Sequence, residues 1–255
     1  MVYLHELTDG PGYLLESLAP RELIRCRELI TNHYLRHLEQ LQPDVVEQAH
    51  QVGIAQYHTL PCRFDHVSAW PKEARLLGCQ YVEELMRMSF FERITQQLGP
   101  SATINHDELY WRIVRPDHPE DVGPVHADRW FRDDDTGAPP AGYDRFKIWM
   151  AIETEATTDC LTVKAYSQRS DHRKQRCELK SWIHESRIDE SENLVQQVEL
   201  PLSPGQMVLF HDALVLGGAI NRGKRCRVSL ELTVLFHKSD GMRHMYTLLG
   251  NRKAA

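Results

Sequence analysis

Apolar positions recur at helical spacing through the first hundred residues and at strand spacing after that. Pro20, following Ala19, opens a helix, and Leu23, Cys26, Ile30, Tyr34, Leu38 and Leu41 continue it at intervals of three and four until Pro43, the apolar stripe of a long amphipathic helix. Its His33 and His37 stand at i and i+4 but without an acidic neighbour, so they are assigned to a solvated polar face and not to a metal. Residues 52–70, with Gly53, Pro61 and isolated aromatics, predict an irregular connection. A second helix is predicted from residue 71 to about residue 88, and a third over residues 90–98, stopped by Gly99-Pro100.

Short aromatic or β-branched runs then take over, at residues 109–114, 145–152, 161–163, 206–210 and 227–233, and these predict the strands of an all-β core. Two long interruptions separate them. One, over 132–144, holds Gly137, Pro139, Pro140 and Gly142; the other, charged, runs over 167–193. Connections of that length are commonly lids or binding loops, with a surface excursion as the plain alternative. No repeat, linker or composition break divides the chain. We expect one domain over residues 1–255, with 1–100 as helical support and 101–236 as the strand core.

Composition narrows the function classes. The chain has 255 residues, 42% of them apolar, enough for a large core. A net charge of -6 argues against a general nucleic-acid binder, and no stretch is apolar for long enough to span a bilayer. The N-terminus lacks the basic and apolar regions of a signal peptide. Six cysteines are scattered without a Cys-x-x-Cys, so reduced thiols in a cytoplasm are expected, with no membrane and no nucleic-acid partner.

Candidate chemistry gathers at two places. In Gly123-Pro124-Val125-His126-Ala127-Asp128, an imidazole and a carboxylate flank one small residue. In an extended strand both would project to the same side and could share one ion. Two histidines and a carboxylate on one face of an octahedron make the site of non-heme Fe(II) oxygenases, and His126 with Asp128 supplies two of the three. Near the end of the chain, Arg227 and Ser229 share one strand face, where a guanidinium fork and a hydroxyl together suit a carboxylate. An ion pair of Arg227 with Glu231 is the structural alternative. Lys147, Lys164, Arg129 and Arg145 would make a basic mouth for an anionic small molecule, unless they point to solvent.

The order of these motifs resembles the phytanoyl-CoA dioxygenase-like branch of the Fe(II)/2-oxoglutarate oxygenases. The resemblance rests on His126-Ala127-Asp128, the strand around Lys147-Ile148-Trp149, Pro204-Gly205, Gly217-Gly218 with Asn221, and Arg227-x-Ser229, and covers roughly residues 90–236. It implies a mainly β fold with N-terminal helices, a double-stranded β-helix (jelly roll, cupin-like). It further implies Fe(II) on His126 and Asp128, and 2-oxoglutarate held by Arg227, Ser229 and Lys147. The implied reaction is O2-dependent oxidation, typically hydroxylation, of a small-molecule substrate, possibly from specialised metabolism. Retention of Asp128 points away from halogenation, because halogenating relatives usually lack this carboxylate.

One corner departs from the pattern. The family's distal histidine stands five positions before the asparagine and eleven before the arginine, and here that position is Leu216. Three readings follow. His211 reaches the metal as a displaced third ligand; or iron sits on His126 and Asp128 alone; or the barrel is a redox-neutral enzyme or ligand-binding module. The usual Pro-Gly-Ser-His turn and its histidine are also missing: the corresponding residues read Cys160-Leu161-Thr162-Val163-Lys164-Ala165-Tyr166-Ser167-Gln168.

Overall fold

The structure, a computed structural model, describes residues 2–131, 139–155, 160–169 and 196–240. Six α-helices are described, α1 Val2–Thr8, α2 Pro20–Leu41, α3 Val46–Val52, α4 His66–Ala69, α5 Cys79–Met86 and α6 Ser89–Leu98, together with eight strands. The strands are β1 Tyr13–Ser17, β2 Thr103–Val114, β3 Tyr143–Glu153, β4 Cys160–Ala165, β5 Gln196–Pro201, β6 Gln206–His211, β7 Val215–Gly218 and β8 Arg227–His237. All pairings are antiparallel, in a five-stranded sheet of order β1-β6-β3-β8-β2 and a three-stranded sheet of order β5-β4-β7.

Period-two alternation gives the large sheet two different faces. Phe146, Ile148, Met150 and Ile152 of β3, Met207 and Leu209 of β6, and Leu230, Leu232 and Val234 of β8 turn outward. There they share one core with Tyr34, Leu38, Phe90, Phe91 and Ile94 of the helices. The opposite positions turn inward, where Trp149, Ala151, Val208 and Phe210 meet Leu161, Val163, Leu200 and Leu216 of the small sheet. Two facing antiparallel sheets with helices outside one of them are the mainly β jelly roll expected from the motifs.

The helices differ from the sequence expectation in instructive ways. In α2, the Glu22 carboxylate accepts from the Ala19 amide at 2.8 Å and from the Phe90 amide at 3.2 Å, so one buried side chain caps α2 and ties it to α6. The helix expected from residue 71 is broken. Leu77 donates its amide to Leu109 at 2.9 Å and Leu76 bridges to Tyr110, so these residues pair with β2, and α5 begins only after Gly78. His33 and His37 do not face solvent freely. His33 Nδ1 accepts from Trp111 Nε1–H at 3.1 Å, and His37 Nε2 donates to the Ala69 carbonyl at 2.9 Å. Strands β1, β5 and β7 and helices α1, α3 and α4 were not expected. The proposed lid segments lie outside the described residues over 132–138 and 170–193.

Candidate metal and co-substrate site

The His126 stretch is not a continuous strand. His126 forms an isolated bridge with Leu216, and Asp128 begins a 3-10 turn, Asp128–Phe131. The two side chains still converge, with His126 Nε2 3.3 Å from Asp128 Oδ1. His126 Nδ1 lies 2.7 Å from the Pro124 carbonyl, which only accepts, so Nδ1 carries a proton and Nε2 faces Asp128 with its lone pair in the neutral ring. Two acceptors this close call for a proton or a cation between them. Holding the far nitrogen on a carbonyl is also how metal-bound histidines are commonly oriented. This pair therefore fits a metal ion, through two protein donors.

The charges around the pair are arranged accordingly. Burial pushes the Asp128 carboxyl up, but Lys147 and then His126 outweigh it and hold it well below the ordinary carboxylate range. Burial pulls the His126 imidazole down, and Asp128 more than offsets this, leaving it above its ordinary value.

Leu216 stands directly across from His126. It exchanges both backbone hydrogen bonds with His126, lines the same cavity as His126 and Asp128, and is 8% exposed. Among the described residues, no group of three His, Cys, Asp or Glu side chains could hold a metal ion. His211 ends β6, away from the cavity lining, with its amide donated to Gly12 at 2.9 Å and its Nδ1 3.1 Å from the Ala213 amide nitrogen. The structure does not bring it to the His126–Asp128 pair.

Arg227 and Ser229 do line that cavity, on the inner face of β8. Arg227 Nη1 donates to the Ala219 carbonyl at 3.0 Å, and a Cβ at Gly218 would stand 2.6 Å from Arg227 Nη2. A Cβ at Gly217 would lie 2.9 Å from Val125 Cγ2. The Gly217-Gly218 pair thus admits the His126 segment on one side and the guanidinium on the other. Asn221, fully buried, donates to Val114 at 3.1 Å and Arg225 at 2.7 Å and accepts from Gly223 at 2.9 Å, which fixes the turn that delivers Arg227. Glu231 accepts from Ser229 at 3.2 Å and lies 3.9 Å from Arg112.

The basic mouth is corrected. Lys147 and Arg145 are buried and paired with Glu108 at 3.0 and 3.1 Å, Arg145 also with Asp212 at 3.1 Å, and Arg129 with Asp212 at 3.0 Å. Lys147 is not among the cavity-lining residues, and its ammonium lies 3.6 Å from Asp128 Oδ2. Lys164 stands on β4 between Gln197 and Val215, also outside the lining. The sequence reading missed Tyr110, Arg112, Asp121 and Glu231 in the lining and Glu108 and Asp212 behind it. Alternation carried two positions past Ser229 would have found Glu231; Glu108 and Asp212 are visible only once the strands are paired.

No helix among the described residues is long and apolar enough to cross a membrane. No curated protein sequence matches the chain. Solved structures with the same fold include the α-ketoglutarate-dependent carbocyclase SnoK from nogalamycin biosynthesis, at 14% identity and TM-score 0.51, covering 91% of this chain and 82% of that one. EvdO2 from Micromonospora carbonacea var. aurantiaca complexed with 2-oxoglutarate aligns at 16% identity and TM-score 0.51, covering 91% and 89%. The profile of the phytanoyl-CoA dioxygenase (PhyH) family matches residues 64–229, well over half of the sequence, and so the chain belongs to the phytanoyl-CoA dioxygenase family, a family of 2-oxoglutarate-dependent oxygenases that use Fe(II).

Proposed function

We propose that this protein is an Fe(II)/2-oxoglutarate-dependent oxygenase that hydroxylates or otherwise oxidises a small molecule of specialised metabolism, with a metal site of two protein ligands, His126 and Asp128. The reading takes residues 1–255 as one domain, because the helices and the large sheet share a core. It is carried by one observation: the His126–Asp128 pair, 3.3 Å apart, opens into the same cavity as Arg227 and Ser229. A metal pair and a carboxylate-binding pair on one cavity are what an enzyme that couples a metal to a dicarboxylate requires.

When bound, Fe(II) would let O2 serve as the oxidant, with 2-oxoglutarate giving up two electrons as it is decarboxylated to succinate. The chain's own residues hold and orient. His126 offers Nε2 because Pro124 keeps the proton on Nδ1. Arg227, held against the Ala219 carbonyl, receives the far carboxylate of the co-substrate, and the Ser229 hydroxyl turns to it from Glu231. Tyr110, Arg112, Trp149 and Glu231 line the remaining cavity, and a small substrate meets a mixed polar and aromatic surface there. Supporting the specialised-metabolism reading is the fold shared with SnoK, itself from nogalamycin biosynthesis.

Leu216 favours a second reading, a redox-neutral enzyme or ligand-binding barrel that has given up the metal. Anaerobic reconstitution with Fe(II) and 2-oxoglutarate, followed by O2, separates the two. Succinate formed in proportion to oxygen consumed supports the oxygenase. Its absence, with no binding of metal or 2-oxoglutarate, overturns it.

A further inference from the structure

Lys147 sits in the middle of β3, 6% exposed, with two carboxylates on its ammonium. Nζ lies 3.0 Å from Glu108 Oε2 and 3.6 Å from Asp128 Oδ2. Glu108 is itself held, by Arg145 Nη1 at 3.1 Å on its other oxygen and by the Thr233 hydroxyl. Arg145 continues to Asp212 at 3.1 Å and Asp212 to Arg129 at 3.0 Å. Among the described residues the run alternates in sign from Asp128 to Arg129, three carboxylates against three cations. The Asp128 carboxylate, expected to await a metal, already has a counter-ion, and Glu108 keeps that counter-ion from swinging away.

We propose that Lys147 gates metal loading: it neutralises Asp128 in the metal-free protein, so that a divalent cation binds His126 and Asp128 tightly only together with an anionic dicarboxylate co-substrate on Arg227. The inference rests on the reading of the site given under Proposed function. A dication beside Asp128 comes within a few ångströms of a buried ammonium, and repulsion at that range in a poorly hydrated interior is strong. A dianionic co-substrate cancels the metal's two charges. It also brings oxygen donors, which the site needs because Leu216 supplies none. Metal and co-substrate affinities are then coupled, and by linkage each strengthens the other equally.

The test is a calorimetric titration of Mn(II) into metal-free protein, with and without 2-oxoglutarate, under anaerobic conditions. Wild type is compared with Lys147→Met and with Lys147→Met/Glu108→Gln. The double variant removes one cation and one carboxylate together, so it keeps the proposal testable if the single variant fails to fold. Wild type is expected to bind Mn(II) about tenfold or more tightly with 2-oxoglutarate than without it. Either variant should bind Mn(II) alone about tenfold more tightly than wild type, with a smaller gain from 2-oxoglutarate. Equal Mn(II) affinity of wild type and folded variants without 2-oxoglutarate overturns the gate while leaving the site reading intact. Failure of every protein to bind Mn(II), even with 2-oxoglutarate, overturns both.

Discussion

His126 and Leu216 exchange both backbone hydrogen bonds, N to O at 2.8 Å in each direction. Directly paired residues across an antiparallel bridge put their side chains on one face, with Cβ atoms about 5 Å apart. Leu216 therefore stands beside His126; in the reading proposed above this is the corner of the family's distal histidine, filled here by an apolar group. Leu216→His is expected to tighten divalent metal binding by about tenfold or more. A titration of Mn(II) into both proteins checks it; unchanged affinity means residue 216 does not aim at the pair.

His211 is expected to be dispensable for the metal. It lies outside the cavity lining, with its ring against Phe146 at 5.8 Å between centroids. His211→Ala should leave metal affinity within about twofold of wild type and cost about 1 kcal/mol of stability from lost packing. A large loss of metal affinity would show instead that His211 is the displaced third ligand.

Gly218→Ala should act on the co-substrate and not on the metal. The added methyl would stand 2.6 Å from Arg227 Nη2, and the guanidinium must shift to admit it. Loss of a charge-assisted hydrogen bond of about 1.5–3 kcal/mol corresponds to roughly 10- to 100-fold weaker 2-oxoglutarate binding. Equilibrium binding of 2-oxoglutarate to this variant and to Arg227→Ala should show a loss in both, larger in Arg227→Ala. Intact affinity in both would remove Arg227 from the site.

Stability should fall in two stages as the solution is acidified. His66 is buried, with Nδ1 3.2 Å from the Tyr57 hydroxyl and Nε2 3.5 Å from Asp121. Burial pulls it down to about 4, against the opposing pull of Asp121. The unfolded chain takes up this proton near pH 6.5 and the folded chain only near pH 4, so stability present above about pH 6.5 is lost between the two, by up to roughly 3 kcal/mol. His33, also pushed down by burial, adds to this stage. Burial raises the carboxyls of Asp121 and Glu108, but Arg115 for the first and Lys147 for the second leave them below their ordinary values. Their stabilisation is complete above about pH 4 and vanishes as the pH falls below that. Urea denaturation midpoints across pH 8 to 3 should show both stages, and His66→Gln should remove most of the first. A flat profile down to pH 4 would contradict the burial of His66.

Glu108 holds Lys147, Arg145 and Thr233 at once. Glu108→Ala leaves two buried cations short of a partner, and a loss of about 3–5 kcal/mol is expected by thermal or urea unfolding. A change below about 1 kcal/mol would show that water reaches this layer.

What could be read from the sequence was what alternation and turn chemistry encode locally. The runs at 145–152, 206–210 and 227–233 lie inside β3, β6 and β8 because both faces of those strands are buried, and His126, Asp128, Arg227 and Ser229, singled out from local motifs, line one cavity. Among the described residues β5 pairs only with β4, and its alternating Gln197, Val198 and Glu199 carry too little apolar signal to stand out. The helix expected from residue 71 fails because Leu76 and Leu77 find partners on β2, a tertiary contact that periodicity cannot see. For the same reason the partners of Lys147 were not legible: its two acids lie 39 positions before it and 19 before it in the chain, on segments that meet only in the fold.

The central claim, a metal site of two protein ligands coupled to a dicarboxylate, is tested most directly by a crystal structure of the protein grown anaerobically with Mn(II) and 2-oxoglutarate. The expected result is a metal ion bonded to His126 Nε2 and an Asp128 oxygen, with Leu216 beside it, His211 uninvolved, and the far carboxylate of 2-oxoglutarate on Arg227 and Ser229. A metal ion bound elsewhere, one that recruits His211, or 2-oxoglutarate away from Arg227 would contradict it.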